Sequence, residues 1–177
     1  MSSWQKLSNH KSKLCALVSS WQKKCLVLKK MKQQILKHHQ QLLQDKIDVF
    51  RDMISGLTED AKNDAKGSAG DKHETALSMM HIEQEKLNHK LREILDQKAI
   101  LDKIDASQVH NKIAIGSVVK ANSMYLFISV ALPKIILDSK TIIALSPQSP
   151  LGLKLMGNVV GFSFEINGSQ FVVETVE

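Results

Sequence analysis

The fold is decided by residues 35–57, which read ILKHHQQLLQDKIDVFRDMISGL. Every seventh residue from the second onward is apolar, at Leu36, Leu43, Phe50 and Leu57. The same interval recurs later in the chain, at Met80, Leu87, Ile94 and Leu101. Apolar residues at this interval form a stripe along one side of a helix, where a second helix can pack. Paired in antiparallel order, the two sets have residue numbers that add to 137, which predicts a long helical hairpin.

The turn of this hairpin is predicted at its midpoint, within Gly67-Ser68-Ala69-Gly70. Neither helical segment is interrupted by proline, because all three prolines lie later, at positions 133, 147 and 150. At 1.5 Å per residue, a helix from residue 31 to residue 66 is roughly 50 Å long. We therefore predict a long antiparallel coiled-coil finger over residues 31–108, with its tip at residues 67–74, that projects from a smaller body.

Two acids, Asp71 and Glu74, follow the predicted turn. Asp-x-x-Glu is a pattern in which the aspartate caps a helix and the glutamate reaches back to the backbone N–H of the cap. By spacing alone, this capping role is favoured over a role in binding a metal ion. The two roles are compatible, because an acid that caps a helix in the free protein can also meet a metal ion in a complex.

After Ile104 the periodicity changes, and short apolar runs then alternate with turn residues. The runs predict a β-rich domain over residues 109–177, with strands at 118–121, 125–130, 134–137, 141–145, 161–166 and 170–176. Asn167-Gly168 predicts a tight hairpin turn. Ser149-Pro150 predicts the start of a short helix, which Gly157 ends. The expected fold class is α+β, with the β-rich domain packed against the base of the hairpin.

The first thirty residues differ from the rest of the chain. They hold seven of the 24 basic residues and no acid, which leaves 17 basic against 18 acidic residues elsewhere. They also hold both tryptophans, both cysteines and a repeated Ser-Ser-Trp-Gln-Lys. We interpret residues 1–30 as a basic extension: either a docking arm for RNA or a partner, or a leader ahead of a true start near Met31. The two cysteines fit neither a redox pair nor a zinc site.

Several functions are not indicated by the sequence. No apolar run approaches the roughly twenty residues of a membrane span. The seven histidines lack the spacing typical of zinc ligands, and no Gly-Lys-Ser/Thr phosphate loop occurs. We expect a soluble, cytoplasmic, monomeric protein that has no membrane partner and is not an enzyme on its own.

Two motifs resemble those of the Gre family of bacterial transcript-cleavage factors. Gre factors carry Gly-Asp-x-x-Glu-Asn-Ala at the tip of a coiled-coil finger, and this chain has Gly70-Asp71-Lys72-His73-Glu74-Thr75-Ala76. The family's C-terminal signature, Ser-Pro-x-(Gly/Ala)-x-x-Leu-x-Gly-Lys-x-x-Gly, is similar to residues 146–161, which read SPQSPLGLKLMGNVVG. The resemblance covers residues 31–177 and implies an FKBP-like fold with one short helix for the β-rich domain.

The resemblance implies a transcription elongation factor whose finger enters the secondary channel of RNA polymerase, while the rest of the chain contacts the channel rim. Asp71 and Glu74 would help to hold a water and a Mg²⁺ ion shared with the polymerase, and so stimulate its cleavage of backtracked RNA. The free protein would bind no cofactor stably. Lys62, Lys66, Lys72 and His73 around the tip are candidates to contact the polymerase or the RNA 3′ end, and the alternative is that they form a solvated helix face.

The tip also departs from the family pattern. Thr75 replaces the asparagine, and Leu77-Ser78 replaces a glutamate and a tyrosine. One alternative is therefore a factor that occupies the channel and inhibits or modulates the polymerase without stimulating cleavage. Another is a coiled-coil interaction scaffold unrelated to polymerase, which would associate with itself through the seam.

Overall fold

The computed structural model describes the backbone of residues 3–64 and 71–177, and the side chains of residues 29–63 and 75–177. Within these residues a long helical region precedes a six-stranded mixed sheet and one short helix. The predicted α+β class is confirmed at this level.

The helical region consists of α1 (Ser3–Asp64) and α2 (Asp71–Asp102). Helix α1 has 62 residues and passes through positions 30 and 31 without interruption, although the basic extension was expected to end there. Helix α2 has 32 residues, so it is about half as long as α1. We refer to α2 together with residues 31–64 of α1 as the helical pair.

Burial along the helical pair repeats with alternating steps of three and four residues, which is the spacing of helices that wind around each other. One such row of buried or half-buried positions on α1 is Leu36, Gln40, Leu43, Ile47, Phe50, Ile54, Leu57 and Ala61. The corresponding row on α2 is Leu77, Met80, Gln84, Leu87, Leu91, Ile94, Lys98 and Leu101. These two rows form the seam between the helices.

Two hydrogen bonds cross the seam. Gln40 Nε2 donates to Asp102 Oδ1 at 2.9 Å, and Gln84 Nε2 donates to Thr58 Oγ1 at 2.8 Å. The residue numbers of both pairs add to 142, so the helices run antiparallel. The predicted apolar pairs add to 137 instead. The larger sum is expected for side-chain hydrogen bonds, because a long side chain leans towards the N-terminus of its own helix. In an antiparallel pair this direction leads towards the C-terminus of the partner helix, so the side chain reaches a residue of higher number.

The strands are β1 (Val118–Ala121), β2 (Met124–Ile128), β3 (Leu132–Leu137), β4 (Lys140–Leu145), β5 (Ser163–Ile166) and β6 (Ser169–Val176). Their order in the sheet is β3-β4-β2-β1-β6-β5, and β2 and β4 are the parallel pair. All six predicted strands are confirmed, with bounds that differ by at most two residues. The predicted turn is confirmed as well, since Asn167 and Gly168 have φ angles of 49° and 78° between paired β5 and β6.

The sheet separates two apolar clusters. On one face Phe127, Ile135 and Ile142 pack with side chains of the helical pair, among them Leu36, Leu43 and Leu101. On the other face a second cluster includes Leu155 of the short helix α3 (Pro150–Leu155). The sheet therefore packs against the base of the helical pair, as predicted, and leaves the distal end outside the shared cluster.

Candidate functional site at the tip of the helical pair

The backbone places both predicted tip acids in the first turn of α2. Asp71 is its first residue and Glu74 its fourth, while α1 ends seven residues earlier, at Asp64. Lys66 and the rest of residues 65–70 lie outside the described residues. The side chains of Asp71, Lys72, His73 and Glu74 also lie outside them. For Asp71 and Glu74 the structure gives the backbone position, which is at the far end of the helical pair.

The first turn of a helix is a favourable place for carboxylates. Its N–H groups have no partner within the helix, and the helix dipole carries partial positive charge there. Residues 71 and 74 are three positions apart, which is about 4.5 Å along the axis. The backbone is thus compatible with the capping role and also keeps the two acids close together at the end of the molecule.

Lys62 is the remaining predicted contact residue, and it is exposed in the last turn of α1. A cation at a helix C-terminus is stabilised by the helix dipole, so its place has a structural reason as well. Glu59 and Asp60 are exposed beside it. Among the side chains that the structure describes, no three histidine, cysteine, aspartate or glutamate residues are grouped so as to hold a metal ion.

A hydrogen-bond relay braces the pair below the tip. Thr58 Oγ1 donates to the carbonyl oxygen of Ile54 at 2.7 Å and accepts from Gln84 Nε2 at 2.8 Å. Thr58 therefore joins α2 to the backbone of α1. This link lies six residues before the end of α1, about 9 Å along the axis, so the tip rests on two helices held at a fixed separation.

Leu77 stands where the Gre motif that the tip resembles has a glutamate. It is partly buried and lies one heptad before Gln84, which places it in the seam. An apolar residue here extends the contact between α1 and α2 by one turn towards the tip. This departure from the glutamate of the family therefore belongs to helix packing.

His39 is a buried residue that lies beside the seam row of α1. It is 0% exposed and faces the sheet instead of α2, with its ring stacked on Phe127 at a centroid distance of 6.0 Å. Burial lowers the pKa of His39, and the backbone of Ile35 and Pro133 partly opposes this effect. Neither ring nitrogen makes a hydrogen bond of good geometry to a described residue.

Lys32 was missed altogether. Its side chain is 1% exposed, and its Nζ donates to the carbonyl oxygen of Gln108 at 2.8 Å. Burial lowers the pKa of Lys32, while the charges of Glu177 and Asp105 raise it. The available signal was a spacing of three and four residues, since positions 32, 35 and 39 form a second row on α1 beside the seam. This row anchors the helical pair to the sheet.

Residues 146–152, within the stretch that resembles the Gre C-terminal signature, form a turn and a helix cap. Ser149 Oγ accepts from the N–H of Gly152 at 3.0 Å and donates to the carbonyl oxygen of Ser146 at 2.7 Å, and Pro150 opens α3. A Cβ on Gly152 would lie 2.1 Å from that same carbonyl oxygen. The predicted helix start is confirmed, and the helix ends at Leu155, just before Gly157 with its φ of 78°.

No protein-family model matches the chain, and no curated protein matches it. Within residues 3–64 and 71–177, no helix combines the length and apolar character needed to cross a bilayer. A function for this protein therefore has to be inferred from its own residues and from the geometry of the helical pair.

Proposed function

We propose that the protein is a Gre-like factor whose helical pair is an antiparallel coiled-coil finger that enters the secondary channel of RNA polymerase. There it stimulates the polymerase's own cleavage of backtracked RNA. The observation that carries this proposal is the position of Asp71 and Glu74, in the first turn of α2, at the end of the helical pair remote from the sheet. The chain acts on the polymerase and is not an enzyme by itself.

The dimensions of the helical pair support a role that requires reach. Leu43 is the last residue of α1 in the cluster shared with the sheet. From Leu43 to Asp64 the helix continues for 21 residues, about 30 Å along its axis. The finger therefore carries its tip well away from the body. The body, proposed to be FKBP-like, would remain at the channel rim.

The chemistry of the tip fits completion of a metal site that belongs to another protein. Mg²⁺ prefers carboxylate oxygens and keeps several waters, so one or two acids can supplement ligands that the polymerase supplies. The shared ion would polarise a phosphoryl oxygen and help to activate the attacking water. Asp71 and Glu74 would orient it, and Lys62, Lys66, Lys72 and His73 would contact the RNA 3′ end or polymerase acids.

A second candidate function is occupation of the channel without stimulation of cleavage. Leu77 favours it, because the side chain at this position belongs to the seam and does not add an acid to the tip. Such a factor would inhibit or modulate the polymerase. It would slow RNA synthesis, and replacement of Asp71 and Glu74 would leave that effect largely unchanged.

The test is RNA cleavage in a defined backtracked complex of the cognate polymerase. We expect the wild-type protein to stimulate cleavage and Asp71→Asn with Glu74→Gln to abolish stimulation at equal occupancy. The matched control is Glu83→Gln with Glu85→Gln, which removes two exposed acids of α2 further from the tip. Stimulation by the tip variant would contradict the assigned chemistry, and slowed synthesis without any cleavage would support the second candidate.

A further inference from the structure

One side of the distal helical pair is apolar and exposed. Val49 and Met53 of α1 are each 51% exposed, and Met79 and Ile82 of α2 are 69% and 52% exposed. A cavity of about 350 Å³ opens between the helices at this place, lined by Leu57, Met79, Met80, Ile82, Glu83 and Lys86. We call the four exposed residues with Leu57 the apolar strip. Met79 and Ile82 line this cavity, whereas Val49 and Met53 lie on the adjacent helix, and a group of exposed apolar residues of this kind is typical of an interaction site.

The apolar strip continues an interface that is already occupied nearer the base. Val49 and Met53 lie two heptads after Ile35 and His39, so all four lie on the same face of α1. Ile35 and His39 are each 0% exposed, and His39 stacks on Phe127 of the sheet. Beyond the sheet the same face has no cover within the described residues. Exposed Lys46 lies between the two stretches, so the distal apolar part of this face begins at Val49.

Gly56 lies on α1 next to Leu57, within the range of the strip. A Cβ at this position would have nothing within 4 Å. Glycine is unfavourable in a helix interior, and no close approach within the described molecule requires it here. A glycine without such a reason suits close contact with the backbone or a bulky side chain of another chain.

The rim of the apolar strip is acidic on its α1 side, while Glu83 and Lys86 of α2, which line the cavity, pair with each other at 3.6 Å. Asp52, Glu59 and Asp60 are exposed, and none of them forms an ion pair with a side chain that the structure describes. Residues 45–63 hold five acids and three basic residues. A partner for this surface should combine apolar side chains with a positively charged flank.

The basic extension of this chain has that chemistry. Residues 1–30 hold seven lysines and no acid, and they carry apolar residues at intervals of three, four and seven, at Trp4, Leu7, Leu14, Val18 and Trp21. It belongs to the same helix as the strip, since α1 runs from Ser3 to Asp64. Residues 16 and 54 are therefore about 55 Å apart along one axis. The extension cannot fold back onto its own strip.

We propose that the basic extension of one copy binds the acid-rimmed apolar strip of a second copy. The protein would then associate with itself, in contrast to the monomer expected from the sequence. The contact joins two different surfaces, so it closes into a dimer if it forms twice and builds longer chains if it does not. The inference stands apart from the proposed function, because it concerns the isolated protein.

The test is sedimentation of the full-length protein under reducing conditions, at low and at high salt. We expect association that salt weakens. We also expect Met53→Gln with Met79→Gln to weaken it about tenfold or more, because exposed anchors at the centre of an interface dominate its affinity. Leu95→Gln is the matched control, an apolar residue of α2 that is 39% exposed outside the strip, and it should leave association unchanged.

Charge reversal tests the pairing itself. One variant carries Lys6→Glu, Lys11→Glu, Lys13→Glu, Lys23→Glu and Lys24→Glu, which leaves two lysines against five acids in the extension, and the other carries Asp52→Lys, Glu59→Lys and Asp60→Lys. Each variant alone should remain monomeric, because its two surfaces then have like charge. A mixture of the two should associate. A monomeric wild-type protein at high micromolar concentration would overturn the proposal, as would a mixture that does not associate while both variants retain wild-type helicity.

Discussion

Two stretches of the same face of α1 behave in opposite ways. Ile35 and His39 at the base are each 0% exposed beneath the sheet, whereas Val49 and Met53, two heptads further along, are each 51% exposed. The seam with α2 continues through both regions. The comparison shows that α1 is packed on two sides at the base and on one side towards the tip. The base is the anchor of the helical pair, and the distal part is the element that reaches out.

The largest expected effect on stability comes from a substitution in the β-rich part of the chain, against which the base of the helical pair packs. Gly152→Ala would place a methyl group 2.1 Å from the backbone oxygen of Ser146, and the cap of α3 cannot yield without losing its hydrogen bonds. We expect a loss of about 4 kcal/mol or more in the free energy of unfolding, measured by chemical denaturation. Lys154→Ala, an exposed position of the same helix, is the control. Equal stability of Gly152→Ala and the control would refute the packing of this turn.

The second prediction compares the loss of stability on replacing two leucines that lie in the same row of the seam. Leu43 is 0% exposed beneath the sheet, and Leu57 is partly buried in the distal part. Leu43→Ala should cost about 3 to 4 kcal/mol, because it leaves a cavity in a closed core. Leu57→Ala should cost about 1 kcal/mol, since its surroundings are already open to water. Equal losses in urea denaturation would remove the distinction between anchor and finger.

The base should also be sensitive to acid. Because burial lowers the pKa of His39 below its ordinary value of 6.5, the unfolded state binds a proton that the folded state does not as the pH falls below that value. The free energy of unfolding should therefore decrease on acidification, with a slope of up to about 1.4 kcal/mol per pH unit from this group. At pH values well above 6.5 this contribution is constant, because His39 is then neutral in both states.

The measurement for His39 is urea denaturation between neutral and mildly acidic pH. His39→Leu should reduce the slope, while Gln34→Leu, at an exposed position of the same helix that does not titrate, should not. Some slope should remain in His39→Leu, because burial lowers the pKa of His110 as well. An unchanged slope in His39→Leu would show that the histidine does not stay neutral beneath the sheet.

The smallest effect is expected on the distal side. Gly56→Ala adds a methyl group where nothing lies within 4 Å and replaces a poor helix former. It should raise the free energy of unfolding by about 0.5 to 1 kcal/mol. If a second copy binds here, the same change should weaken self-association in sedimentation. A destabilised Gly56→Ala would mean that this part of α1 is packed more closely than the structure has it.

The sequence was sufficient to predict those parts of the fold that depend on one local pattern of residues. The seam through Leu43 and Leu57, the six strands and the turn at Asn167-Gly168 follow from local patterns and all have counterparts in the structure. The spacing of Lys32, Ile35 and His39 is visible in the sequence, but the spacing alone does not predict that this row is buried. Its burial depends on a sheet that begins more than 75 residues later in the chain, and a lysine and a histidine give no apolar signal there.

In the candidate site, too, local spacing predicts some features and leaves others undecided. The spacing of Asp71 and Glu74 predicted the start of a helix, and α2 begins at Asp71. Leu77 departs from the family pattern, yet its place follows from the seam, because heptad spacing continues from Gln84. The role of the two acids could not be decided by spacing, since a cap and a shared metal ligand use the same residues. That role depends on a partner.

The most direct test of the proposed function is to measure whether the tip lies close to the polymerase active centre. An iron chelate would be attached at Asn63→Cys near the tip, or at Lys37→Cys near the base as control, with Cys15 and Cys25 replaced by serine. Both attachment positions are exposed. In a backtracked complex we expect radical cleavage of RNA next to its 3′ end from position 63 and none from position 37. No cleavage from position 63, with binding to the polymerase retained, would contradict entry of the finger into the channel.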